Sequence, residues 1–157
     1  MEKAYDRMSS EFINAVMRKL GFSEKWINMI GNLISNVWYS IIINGTRNGF
    51  FTSSQGLKQG DPLSLSLFIL GSEVLTRLLN KLHENEKFTL FTMPAKGPQI
   101  IHLAYADDII IFSAGNNKMI RLIMEQIHKY KRASGQKLNA NKVFSGRINR
   151  IRSTTRK

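Results

Sequence analysis

The spacing of hydrophobic positions changes several times along the chain, and each change predicts an element. Phe12, Ala15, Val16 and Leu20 recur at helical spacing. Ser9 or Ser10 can cap that helix and Gly21 can stop it. Trp26, Ile27, Ile30, Leu33 and Ile34 mark a second helix behind Ser23, and their stripe reads as core. Residues 38–43 and 50–52 are β-branched and aromatic, with Asn44-Gly45 and Asn48-Gly49 between them. That pattern predicts a β-hairpin with a short loop. After Pro62, the positions Leu67, Phe68, Gly71, Leu75, Leu78, Leu79 and Leu82 predict a long helix with a wide buried face. Residues 88–93 and 100–112 read as strands. Asn116 or Asn117 can cap a last helix through Ile120, Ile123, Ile127 and Tyr130, ending at Gly135, and 136–144 fits a final short strand. The order predicts an α+β fold with a small antiparallel sheet packed against helices. One domain is expected over 1–145. The tail 146–157 carries Arg147, Arg150, Arg152, Arg156 and Lys157 with little apolar pattern, and reads as basic and disordered.

Composition narrows the classes. The 157 residues suit one ordinary domain, and 43% apolar content is enough for a core. No run of about 18 apolar residues occurs, so no membrane span is expected. The charged start lacks the apolar stretch of a secretory signal. Cysteine is absent, which excludes disulfides and thiolate metal sites. The formal net charge of +12 favours a polyanionic partner, nucleic acid ahead of anionic lipid. A basic surface without a specific partner is the plainer account.

The chemistry concentrates in one stretch, Leu103-Ala104-Tyr105-Ala106-Asp107-Asp108-Ile109-Ile110-Ile111-Phe112. The chain has four aspartates, Asp6, Asp61, Asp107 and Asp108, and two of them are neighbours here inside an apolar run. A strand-turn-strand reading buries both apolar flanks and leaves the turn to present the carboxylates. Adjacent carboxylates repel unless a cation or exposure relieves them. A hard divalent ion such as Mg²⁺ does so through oxygen ligands, taking its remaining ligands from water and phosphates. An ordinary Asp-rich turn has the same sequence pattern.

Four stretches carry a resemblance. Tyr105-Ala106-Asp107-Asp108 resembles the [YF]-x-D-D motif of reverse transcriptases. "SSQGLKQGDPLS" resembles the G-[LV]-[RK]-Q-G-[DC]-P-L-S segment of the enzymes of non-LTR (LINE-type) retroelements, and "EKAYDRM" their K-A-[FY]-D. "ASGQKLNANK" resembles the segment after the active-site hairpin. They stand in family order over about residues 1 to 145. The resemblance, plant-like in character, implies a reverse-transcriptase palm with part of the fingers. It implies two-metal nucleotidyl transfer with Mg²⁺, Mn²⁺ being an alternative ion. The implied partners are an RNA template, a DNA primer and deoxynucleoside triphosphates, inside the cell and without a membrane.

By the same resemblance, Asp107 is the catalytic, metal-binding aspartate and Asp108 its metal-proximal neighbour. Tyr5 packs below the incoming sugar; Gln59 and Gly60 touch the nucleotide and template. Asp6 matches a family aspartate that is not a metal ligand, with a local cap or an ion pair to Lys3 or Arg7 as its plain role. Asp61-Pro62-Leu63-Ser64 starts the long helix. Lys58 fits a phosphate contact, Lys137 or Lys142 the late-motif lysine that protonates pyrophosphate, and Arg47 a nucleic-acid contact. A solvated side chain is the default reading of the lysines and an equal alternative for Arg47.

Two departures qualify the match. The family's first metal-binding aspartate falls four residues before Ala4, immediately before Met1, so its strand is expected to be missing. The flanking fingers, thumb and endonuclease segments are expected to be missing too. Leu65 also stands where the family has proline. The chain alone is therefore expected to lack polymerisation. The competing expectations are a nucleic-acid-binding fragment without catalysis and a translated retroelement relic.

Overall fold

The computed structural model describes residues 1, 4–53, 55–91, 99–139, 141, 143 and 146. Its elements run α1 (Ala4–Arg7), α2 (Ser10–Lys19), α3 (Glu24–Ser35), β1 (Trp38–Ile43), β2 (Thr46–Thr52), α4 (Pro62–Asn80), β3 (His102–Tyr105), β4 (Asp108–Ile111) and α5 (Asn117–Ser134). The expected α+β character holds. The single small sheet does not: β1–β2 and β3–β4 are two separate antiparallel pairs.

Helix boundaries follow local chemistry. The Ser9, Ser23 and Asn116 side chains accept from the amides of Phe12, Trp26 and Met119. Each satisfies one of the orphan donors of a first turn. Asp61 caps α4 by accepting from Leu63 N, with Pro62 in the first turn, where a missing N–H costs nothing. α5 ends on Gly135 in the left-handed conformation.

The core lies between α2, α4 and α5. Phe12, Ile13, Val16 and Met17 meet Leu67, Phe68, Leu75 and Leu79, and Met119, Ile123, Ile127 and Tyr130 close the third side. Ile27 and Ile30 of α3 pack onto α2. α4 and its 3₁₀ continuation form a helix, Pro62–Glu84, long and apolar enough by composition to cross a membrane. In this fold it is the central core helix.

Four sequence expectations are corrected. The second strand of the first hairpin begins at Thr46, not at Phe50. Asn44-Gly45 alone makes the turn, with φ of +49° and +81°, the pattern of a type I′ turn. Asn48-Gly49 lies inside β2, where Gly49 has φ +66° and the register shifts between Tyr39 and Ile41. It forms a bulge, not a turn. Residues 88–91 form no strand; Met93 lies outside the described residues. Phe88 is buried, and Thr89 makes one backbone bond, accepting from Ala114 N, while its own amide turns to the Met119 sulfur. A ladder would need both groups in the sheet. The described residues of 136–144 also include no strand, because Gln136 is drawn into the core instead. Finally, apolar flanks do not bury both strands around the Asp pair: Leu103, Tyr105 and Ile110 are exposed.

Candidate active site

The site is built on one short segment, residues 4–9, which two remote segments grip from opposite sides. On the first side Leu57 N donates to Tyr5 O at 2.7 Å and Gly56 N to Met8 O at 3.1 Å. Gly56 has φ +104°, and a Cβ there would stand 2.7 Å from Asp6 O. Only glycine allows that approach and that backbone. On the second side the Gln136 side chain, 2% exposed, donates through Nε2 to Ala4 O at 2.6 Å. Ser9 N donates to Ser134 O at 3.0 Å. Gly135 has φ +78°, and a Cβ there would meet Arg7 O at 2.7 Å. Three of the four sequence stretches singled out above thus meet at one place.

Tyr5 stacks on Phe68 of α4, with ring centroids 4.6 Å apart and planes at 19°. Gln59 donates from Nε2 to Asp6 Oδ1 at 2.8 Å. Gly60 has φ +84° and open space where a side chain would be. Lys58 is exposed beside them. Leu65 points outward from the first turns of α4, 53% exposed, so no core contact depends on it.

The fourth stretch is a tight hairpin. Tyr105 pairs with Asp108, so the loop is Ala106-Asp107 and Asp108 is the first residue of β4. Ala106 has φ +50°. A positive φ at the first loop residue alone is the pattern of a type II′ turn, which glycine normally occupies. Ile109 and Ile111 pack toward the core, and His102 Nε2 lies 3.3 Å from Thr76 Oγ1 of α4. Burial holds His102 below the ordinary imidazole range, against the opposing pull of Glu73. The other face, with Leu103, Tyr105 and Ile110, is open. Both carboxylates are exposed. The Met1 amine donates to the backbone carbonyl of Asp107. Met1, Phe68, Ala106 and Ile109 line one small cavity, so Phe68 stands between Tyr5 and the turn.

The donor set suits a hard cation: two consecutive carboxylates, exposed, with room for water and phosphate ligands. Among the described residues no third acidic or imidazole group joins them. Asp107 and Asp108 would therefore hold the ion from one side.

Other expected contacts lie apart. Arg47 sits on β2 beside the turn, paired with Ile42, in a hairpin that touches little else. Lys137 is exposed after α5, and Lys142 lies outside the described residues. Of the basic tail only Gly146 is described. A groove of about 580 Å³ runs between α2, α3 and the residues Ser53, Gln55 and Gly56, and includes none of the expected site residues. Sequence reading missed Gln136 and Ser134, the residues that lock segment 4–9. Their partners lie more than a hundred residues away, and no local spacing signals them.

Comparison with known proteins gives the family. A family model described as reverse transcriptase (RNA-dependent DNA polymerase) matches residues 1–147. An uncharacterized mitochondrial protein of Arabidopsis thaliana is 40% identical over 79 residues, half of this chain and 65% of that protein. The retrovirus-related Pol polyprotein from the type-1 retrotransposable element R2 of Popillia japonica is 28% identical over 92% of this chain. The corresponding polyprotein of the type-2 element R2DM of Drosophila melanogaster is 30% identical over 92% of it. The chain spans 23% and 13% of those two polyproteins.

Proposed function

Because the chain belongs to the reverse transcriptase family, we propose that it is the palm, with part of the fingers, of an RNA-directed DNA polymerase of a non-LTR retroelement. Residues 1–145 form that unit and 146–157 a basic tail. Its substrates are an RNA template, a DNA primer and deoxynucleoside triphosphates. The observation that carries the reading is the convergence of 4–9, 56–60 and 134–136 on one segment beside a hairpin with two adjacent carboxylates.

Asp107 and Asp108 would hold divalent metal through hard oxygen ligands. Bound metal would supply charge neutralisation at the attacking and leaving oxygens. Tyr5, fixed by its stack on Phe68, sets the floor under the incoming sugar. Gln59 and Gly60 face nucleotide and template, and Lys58 reaches phosphate. The net charge of +12 draws the polyanionic substrates in. Two-metal chemistry draws on more ligands than this hairpin offers, and no further one joins it among the described residues. The 157-residue chain is therefore expected to make no measurable cDNA.

Mn²⁺ binding, read by paramagnetic broadening near the hairpin, tests the site. Asp107→Asn with Asp108→Asn is expected to abolish the effect, and unchanged broadening overturns the metal role. Primer extension on an RNA template with Mg²⁺ tests the second point, where robust synthesis would refute inactivity. A second reading, nucleic-acid binding without catalysis, draws on the same net charge. It requires salt-sensitive RNA binding that survives loss of both aspartates and no metal effect in the wild-type chain.

A further inference from the structure

Asp6 had only a local role in the sequence. The structure places its carboxylate 2.8 Å from the amide nitrogen of Gln59, fifty-three residues away. A carboxylate accepts and does not donate, so this contact fixes which way the Gln59 amide points. Nε2 is committed to Asp6. The carbonyl oxygen Oε1 therefore faces outward as an acceptor. The backbone supports the pairing: Leu57 N to Tyr5 O and Gly56 N to Met8 O tie the two segments together, and Asp6 O rests against Gly56. Asp6 and Gln59 are the side chains at the end of that short ladder.

We infer that Asp6 is a positioning residue that holds Gln59 as an obligate hydrogen-bond acceptor, so that this position selects a donor group, a sugar hydroxyl or a base amine, on the substrate. The inference rests on the nucleotide-binding reading of Gln59. Without Asp6 the amide can turn over and present its NH₂ instead, and selectivity between donor and acceptor groups is lost. The chemistry also predicts which change restores it. Asp6→Asn alone can orient Gln59 either way. Gln59→Glu alone sets two carboxylates against each other. When the two are combined, the asparagine amide introduced by Asp6→Asn donates to one oxygen of the carboxylate introduced by Gln59→Glu. The other oxygen is left outward, again as an acceptor.

Two measurements test this on the full chain. Deoxynucleoside triphosphate binding to the chain with RNA–DNA template-primer is measured in Ca²⁺. Asp6→Asn and Gln59→Glu are each expected to weaken it by about tenfold, the scale of one charge-assisted hydrogen bond. The pair Asp6→Asn/Gln59→Glu is expected to return to within about twofold. Additive losses, or single variants that bind like wild type, overturn the inference. If wild type binds no nucleotide, the polymerase reading fails, and the side-chain amide resonances of Gln59 decide the lock itself. Slow-exchanging, shifted amide protons that become solvent-like in Asp6→Ala support it, and identical resonances in Asp6→Ala overturn it.

Discussion

Ala106 stands immediately before the two carboxylates with φ +50°. A left-handed conformation costs an L-residue about 1–2 kcal/mol, and glycine escapes that cost while losing more chain entropy on folding. Ala106→Gly is expected to raise unfolding stability by about 0.5 kcal/mol, read by chemical denaturation. Gly56 and Gly135 present the opposite case. A methyl group at either meets backbone oxygen at 2.7 Å and inherits a positive φ. Gly56→Ala and Gly135→Ala are each expected to cost about 2–3 kcal/mol and to release segment 4–9, visible as faster amide exchange at Ser9. The sequence displayed these glycines within motifs but could not say why they are glycine. The reason is the approach of Asp6 O and Arg7 O from another part of the chain. Asp6 and Gln59 were each legible as motif residues, while the bond between them was not.

Elements were most legible where they are governed locally. Ser9, Ser23, Asn116 and Gly135 start or stop helices through groups within four residues, and all four were readable. Asn48-Gly49 misled because a turn signal says nothing of the partner strand, and pairing with Ile41 holds it inside β2. Residues 88–91 misled because β-branched and aromatic composition does not supply a neighbour. The β1–β2 hairpin is a separate case, formed as expected yet barely buried. Trp38, Ile41, Ile42, Ile43, Phe50 and Phe51 are all at least half exposed. A lone two-stranded hairpin is marginal in water. Ile42→Thr with Phe50→Thr is expected to shift global stability by no more than about 0.5 kcal/mol while reducing aggregation, measured by thermal unfolding and light scattering.

At the scale of the whole molecule, pH sensitivity follows from two rings, one half-buried and one buried. His102 has its pKa lowered by burial. A group depressed on folding contributes stability that is complete above its ordinary value and lost as pH falls through the folded value. Thermal stability is therefore expected to decline on acidification from about pH 7 toward 5, as the β3–β4 hairpin loosens from α4. His102→Gln is expected to flatten that slope. Tyr130 of α5 is pushed up to about 12 by burial in the core. Its neutral form favours the fold, so its contribution is complete below pH 10 and lost as pH climbs toward 12. Tyr130→Phe is expected to shift alkaline unfolding upward, read by circular dichroism. The α+β architecture and the helical core were readable from periodicity, because burial of one helix face is a property of the helix alone. The division into two small sheets was not, since it depends on which strands find each other.

The clasp on residues 4–9 has a consequence for synthesis. Ala4 is held by Gln136, 132 positions later, and Ser9 by Ser134. During translation the segment meets its first grip, Gly56 and Leu57, early and its second much later. At ribosomal speeds of about 5–20 residues per second, roughly 7–26 s pass before its clasp exists. The aspartate hairpin and the Gln59 loop are both made within that interval. The candidate active site is therefore held from both sides only once Gln136 has been added, however early its other parts were ready.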